Sequence, residues 1–223
     1  MMLCPPNSRK SNRQNGFTLV ELSIVLVIIG LIIGGVLTGQ QIIQNARVTN
    51  ALNTVQAYQA QFQTYVQNYG ALPGDDANAP SRFPNAVPTT PVGNGDGVLN
   101  GTFDSATASD EARLLWADLR AAGLIKNQIT TGNSTAIQPP NPFNGIYGFQ
   151  NGAFSGAFTT AVLCLNNVPL SAGQAIDSRL DDGSSNTGNV QSMASTGTVG
   201  EATTGTVATS YGAAQTYTLC IRM

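Results

Sequence analysis

Residues 22 to 37, LSIVLVIIGLIIGGVL, form an apolar run interrupted only by Ser23 and glycines; with Phe17, Leu19 and Val20, about twenty residues are available. That is roughly the length a helix needs to cross a hydrocarbon core. One residue inside the segment is out of place. Glu21 puts a carboxylate among side chains that would otherwise enter a bilayer freely. At a helix centre such a charge costs about 2.5–3.5 kcal/mol on insertion scales, and less near an end, where it snorkels. Arg9, Lys10 and Arg13 precede the run without an acid, and only Arg47 follows closely. The excess of basic residues on one side puts the N-terminus in the cytoplasm and the bulk of the chain outside.

The pattern then changes without a break. From Gln40 to Tyr69 apolar residues fall at Ile42, Ile43, Ala46, Ala51, Leu52, Val55, Tyr58, Phe62, Tyr65, Val66 and Tyr69. These steps of three and four mark one face of an amphipathic helix. The other face is largely amides, among them Gln41, Gln44, Asn53, Gln56 and Gln63. Gly70 and Pro73 supply the stop, and no proline interrupts residues 17 to 69. A single continuous helix is expected, on the order of 80 Å long at its usual rise per residue.

Beyond Gly70 a stretch with Pro73, Pro80, Pro84, Pro88 and Pro91 reads as loop and turn. A short helix is expected in DEARLLWADLRAAG, with Ser109 as N-cap, Ala112, Leu115, Trp116 and Leu119 on one side, and Gly123 at its end. Trp116, the only tryptophan, reads as a core anchor. Phe158–Leu165 and TYTLCI near the C-terminal end read as strands, and residues 183 to 210, rich in Gly, Ser, Thr and Asn, as a long loop.

Composition narrows the function. There is no histidine, which removes the usual general base, the commonest metal ligand and every Ser/His or Cys/His catalytic arrangement. Once the three leader cations are set aside, seven of the ten basic residues face all twelve acidic ones, a net of −5. No basic footprint for double-stranded nucleic acid is left. Of three cysteines, Cys4 lies in the leader, so loss of the leader leaves Cys164 and Cys220. They are either a disulfide formed in an oxidising compartment or two separate thiols.

Three readings compete for the N-terminus: a secretory signal peptide, a plain signal anchor for a binding protein or enzyme, and a processed anchor in which Glu21 has a purpose. The third rests on GFTLVEL, which resembles the processing site of type IV pilins and of the pseudopilins of type II secretion systems. The exit NYGALPGD is similar to the helix-to-head junction of such proteins. Looser likenesses in NGDGVLNG, PPNPFNG and IDSRLDDGSSNTG point to larger prepilin-type proteins of Gram-negative bacteria. The resemblance implies a prepilin peptidase that cuts between Gly16 and Phe17 on the cytoplasmic face and methylates the new N-terminus. It implies that Glu21 neutralises the N-terminal amine of a neighbouring subunit. It implies partners in copies of the chain or related pilins and pseudopilins and an inner-membrane assembly platform, and no cofactor. Many major pilins carry a proline about twenty residues into the mature helix; this chain has Gly30, Gly34, Gly35 and Gly39 there instead. Cys164 and Cys220 resemble the C-terminal disulfide loop of many pilins.

The fold expected is α+β: a basic leader over 1–16, a transmembrane or filament-core helix over 17–37, its amphipathic continuation over 38–69, and a head over 70–223 with a small antiparallel sheet. Two acidic stretches are candidate calcium loops: Asn94 and Asp96, with Asn100, in GNGDGVLNG, and Asp177, Asp181 and Asp182. Each also reads as an ordinary Gly/Asn/Asp turn. Asp75 and Asp76 read as loop caps.

Overall fold

The structure is a computed structural model that describes residues 16–84, 93–126, 137–212 and 215–223. The basic leader residues, Cys4, Pro88 and Pro91 lie outside the described residues. The chain divides into two compact units, one ending at Ile43 and the other Gln44–Met223.

The long helix α1 runs Leu19–Tyr69, 51 residues, as its unbroken freedom from proline requires. It ends on Gly70 at φ +68°, whose N–H donates to the Val66 carbonyl at 2.9 Å. Only glycine adopts that left-handed cap without penalty. In the first unit the apolar side chains are exposed all round, with Leu19 at 87% and Leu31 at 74%. The helix is long and apolar enough to cross a membrane. In the second unit one stripe is buried: Val48, Ala51, Leu52, Val55, Phe62 and Tyr65. The stripe starts later than its sequence suggests. Ile42, Ile43 and Ala46 are exposed, Gln44 is partly covered and donates to the Ser171 hydroxyl at 3.2 Å, and Val48 is the first buried side chain.

The head is built on one antiparallel sheet of β1 (Tyr147–Ala153), β2 (Phe158–Pro169), β3 (Val190–Ala194) and β4 (Thr216–Arg222), in the order β1-β2-β4-β3. Short helices α2 (Ala79–Arg82) and α3 (Glu111–Ala121) precede it, α4 (Leu170–Leu180) links β2 to β3, and α5 (Glu201–Thr204) lies between β3 and β4. The architecture is α+β, as expected.

Both faces of the sheet are covered, so β4 is buried from Tyr217 to Ile221. On one face Tyr217, Leu219 and Ile221 join Phe149, Leu163 and Leu165 under the α1 stripe, α3 and α4. Rings make the joint: Tyr58 of α1 meets Trp116 edge-on at 5.0 Å and Tyr147 at 5.4 Å, and Phe62 stacks on Phe149 at 5.2 Å. Trp116 is fully buried, the anchor its sequence position suggests. On the other face Phe103, Phe158, Val162, Met193 and Ala202 enclose the two cysteines. Cys164 and Cys220 are directly opposite each other on β2 and β4 and are joined by a disulfide.

Two further expectations need correction. The N-cap of α3 is Asp110, not Ser109: its backbone is extended, at ψ 130°, and its carbonyl accepts the N–H groups of Arg113 and Leu114 at 2.9 Å. Residues 183 to 210 are not one loop. Weakly hydrophobic composition hides β3 and α5, which are held by pairing with β4 and by Glu201, a buried carboxylate that accepts from Ser195, Thr196, Gly197 and Thr218.

The disulfide closes a span of 56 residues, for which the chain-entropy relation gives about 4 kcal/mol. Replacing Cys164 and Cys220 together by alanine is expected to lower the stability of the full chain in detergent by about 2–5 kcal/mol in urea denaturation. A loss within error would show that sheet pairing alone fixes β4.

Candidate functional site

The N-terminal end of α1 is shaped by two side chains. Thr18 stands at the N-cap position, and its N–H and its hydroxyl both donate to Glu21 Oε2 at 2.9 Å. Glu21 returns the contact through its own N–H, which donates to Thr18 Oγ1 at 3.2 Å. This is a reciprocal capping box, and it occupies donors that the first helical turn leaves without partners. The carboxylate also lies at the positive end of the helix macrodipole. The box was legible as Thr-x-x-Glu before an apolar run, a signal that reading the segment as a membrane span passes over. Phe17 is 83% exposed, and Gly16 is exposed beside it. Oε1 of Glu21 takes no part in the box, and no cation meets Glu21 among the described residues.

In the head, Asp96 does lie beside Asn94, whose amide donates to Asp96 Oδ2 at 3.0 Å. The carboxylates close to it come from far along the chain. Oxygens of Asp75, Asp96 and Glu111 lie within 4.8 Å of one another. Asp75 Oδ1 accepts from the N–H groups of Gly95 at 2.6 Å and Asp96 at 3.2 Å, and Oδ2 from that of Gly97 at 2.7 Å. Glu111 accepts from the N–H groups of Asn94 and Asn100 at 3.1 and 2.9 Å. Asn100 turns its amide nitrogen towards Glu111, at 3.0 Å, so it contributes a donor and not the expected oxygen. Gly93 is fixed by contact, because a Cβ there would lie 2.2 Å from the Asp75 carbonyl carbon. The arrangement staples residues 93–100 onto Asp75 and the start of α3. Asp75 caps a loop, as expected. Sequence reading missed Glu111 as its companion because 36 residues separate the two.

Asp177, Asp181 and Asp182 also come together within 4.8 Å. Asp177 is fully buried, accepts from the Tyr211 hydroxyl at 2.7 Å and from the Gly183 N–H at 3.2 Å, and burial raises its pKa against those two bonds. Asp181 accepts from the N–H groups of Asn189 and Val190, and Asp182 from the Thr187 hydroxyl and the Ser184 N–H. Those bonds hold Asp182 below the usual carboxylate range. Both groups therefore have local hydrogen-bond roles in place.

Residues 11–37 match the family model of the prokaryotic N-terminal methylation motif, the prepilin-type signal of type IV pilins and pseudopilins. The match takes in the end of the leader, Gly16, Phe17, Glu21 and the apolar run, and none of the head. It points to a structural, non-enzymatic class of protein. No curated protein and no solved structure matches the chain.

Asp75 gives the head a direct test. Asp75→Ala leaves the N–H groups of Gly95 and Gly97 without their acceptor, while that of Asp96 keeps Asn94 Oδ1 at 2.8 Å, and it is expected to cost about 1–3 kcal/mol in urea denaturation with EDTA present. A deficit that appears only when calcium is added would mean that a cation, not the N–H groups, is what Asp75 serves.

Proposed function

We propose that the chain is a structural subunit of a type IV pilus-like or type II secretion pseudopilus filament. The observation that carries this reading is the methylation motif over residues 11–37 placed on a helix that continues unbroken into the core of a disulfide-closed head. In this reading the precursor waits in the inner membrane with its N-terminus in the cytoplasm and its head in the periplasm. Prepilin peptidase cuts between Gly16 and Phe17, leaving 207 of the 223 residues, and methylates Phe17. The assembly platform then moves the subunit into a periplasmic pseudopilus or a surface pilus.

The chemistry at Glu21 supports the assignment. An α-amino group with a pKa near 8 is cationic at neutral pH. Inside a bundle of apolar helices that cation and a carboxylate are each costly alone and tolerable together. Thr18 engages Oε2, and Oε1 is left for the amine of another copy or a related subunit. Subunits that meet out of register leave both charges unpaired. The protein's activity is then assembly, with no substrate consumed.

The capping box favours a second reading, in which Glu21 serves only its own helix and the segment is a plain anchor for a periplasmic binding protein or enzyme. Intact-mass measurement of the mature chain separates the two: loss of residues 1–16 and gain of one methyl group is expected. An uncut chain, or a cut beyond the apolar run, would exclude the filament reading. Glu21→Val and Glu21→Ala are expected to insert and be cut normally while incorporation into filaments falls severely, as scored by shearing and immunoblotting. Normal incorporation of either variant would confine Glu21 to its capping role.

A further inference from the structure

The segment that leaves α1 is stitched to two helices through buried side chains. Gly74, at φ +86°, lies so close to α3 that a Cβ would fall 2.2 Å from the Glu111 carbonyl oxygen. Its N–H donates to Asp118 Oδ2 at 2.7 Å. Asp76 accepts from the Tyr65 hydroxyl and the Asn78 N–H, each at 2.9 Å, and is ion-paired with Arg82. The same guanidinium donates to the Tyr69 carbonyl at 3.3 Å and lies 5.4 Å above the Tyr69 ring. Residues 72–83 thus form a strap between the end of α1 and the middle of α3. Asp76 and Asp118 are 2% and 5% exposed, and the Arg82 guanidinium is paired with Asp76.

We propose that Asp118 is a proton-operated catch on this strap: protonated, it lets the strap close over α3, and ionised, it drives residues 72–76 to open towards water. The groups that face it account for the direction. Burial raises its pKa to about 7, and the charge of Asp76 adds to the rise; the Gly74 N–H and Arg82 act the other way. From α1, Tyr65 is kept neutral by burial and by both carboxylates. Within α3, Glu111 is turned to residues 94 and 100, and Arg120 donates to the Ile137 carbonyl. Asp75, next to Gly74, is held by residues 95–97.

With the strap open, Asp118 meets water and returns to an ordinary value near 4. The closed form therefore holds the extra proton between about pH 4 and about pH 7, and a rise in pH through that window favours opening. The opening constant is expected to grow by up to about tenfold per pH unit there and to level off above it. The catch operates in the head alone and does not depend on which filament, if any, the chain enters.

Hydrogen exchange on the full chain in detergent, at pH 5, 6, 7 and 8 and corrected for intrinsic exchange, tests the catch. The Gly74 and Asp75 amides, which donate to Asp118 and to the Leu72 carbonyl, are expected to lose protection across pH 5–7, while those of β2 and β4 keep theirs. Asp118→Asn retains an oxygen for the Gly74 N–H and cannot ionise, so its strap is expected to be protected at every pH. A flat profile in the parent protein overturns the proposal, whether or not the variant folds, as does a parent-like slope in Asp118→Asn.

Discussion

The contact between one stripe of α1 and one face of the sheet is what the head depends on. Tyr58 and Phe62 reach into a layer made by Trp116, Tyr147 and Phe149, and β1, β2, β4, α3 and α4 all converge on it. A four-stranded sheet with one face open would leave Leu163, Leu165, Tyr217, Leu219 and Ile221 in water, a loss of roughly 1.5–3 kcal/mol for each large apolar side chain. The helix is therefore part of the fold of the head as well as its N-terminal extension. A 51-residue helix carries two kinds of surface on one backbone: apolar all round in its first part, one buried stripe wide from Val48 onward.

Much of this was legible from the sequence because it depends on local pattern. The absence of proline over residues 17 to 69 and the Gly70 stop define α1 to within two residues. Steps of three and four picked out Ala51, Leu52, Val55, Phe62 and Tyr65, and two β-rich runs picked out the strands that carry the disulfide. The failures have a common physical cause. Where the stripe begins depends on what covers it, so Ile42 and Ile43 read like Val55 although only Val55 is buried. The strand at Val190–Ala194 owes its form to pairing with β4 and not to its own composition, VQSMA.

The candidate site residues divide the same way. Gly16, Phe17 and Glu21 lie in one contiguous motif, so the resemblance of that short stretch was enough to single them out as candidates, and Thr18 could have been found from Thr-x-x-Glu. In GNGDGVLNG, by contrast, the sequence offered Asn94, Asp96 and Asn100, while the fold brings Asp75 and Glu111 to Asp96 and turns Asn100 into a donor. Asp118 gave no signal at all. A carboxylate on an amphipathic helix reads as solvated until the strap at Gly74 is seen to cover it.

The order β1-β2-β4-β3 places the last strand in chain order between two others. Until residues 216–222 arrive, β2 and β3 have no common neighbour, and the sheet exists only as a β1–β2 hairpin with a separate strand. Such non-local pairing is slow to form and leaves apolar faces exposed while it waits. Folding of the head is thus gated by its far end: the surface that receives α1 is completed last. A chain halted short of β4 would have a finished α1 and an unfinished head, with Cys164 still a thiol and within reach of any oxidant or stray partner.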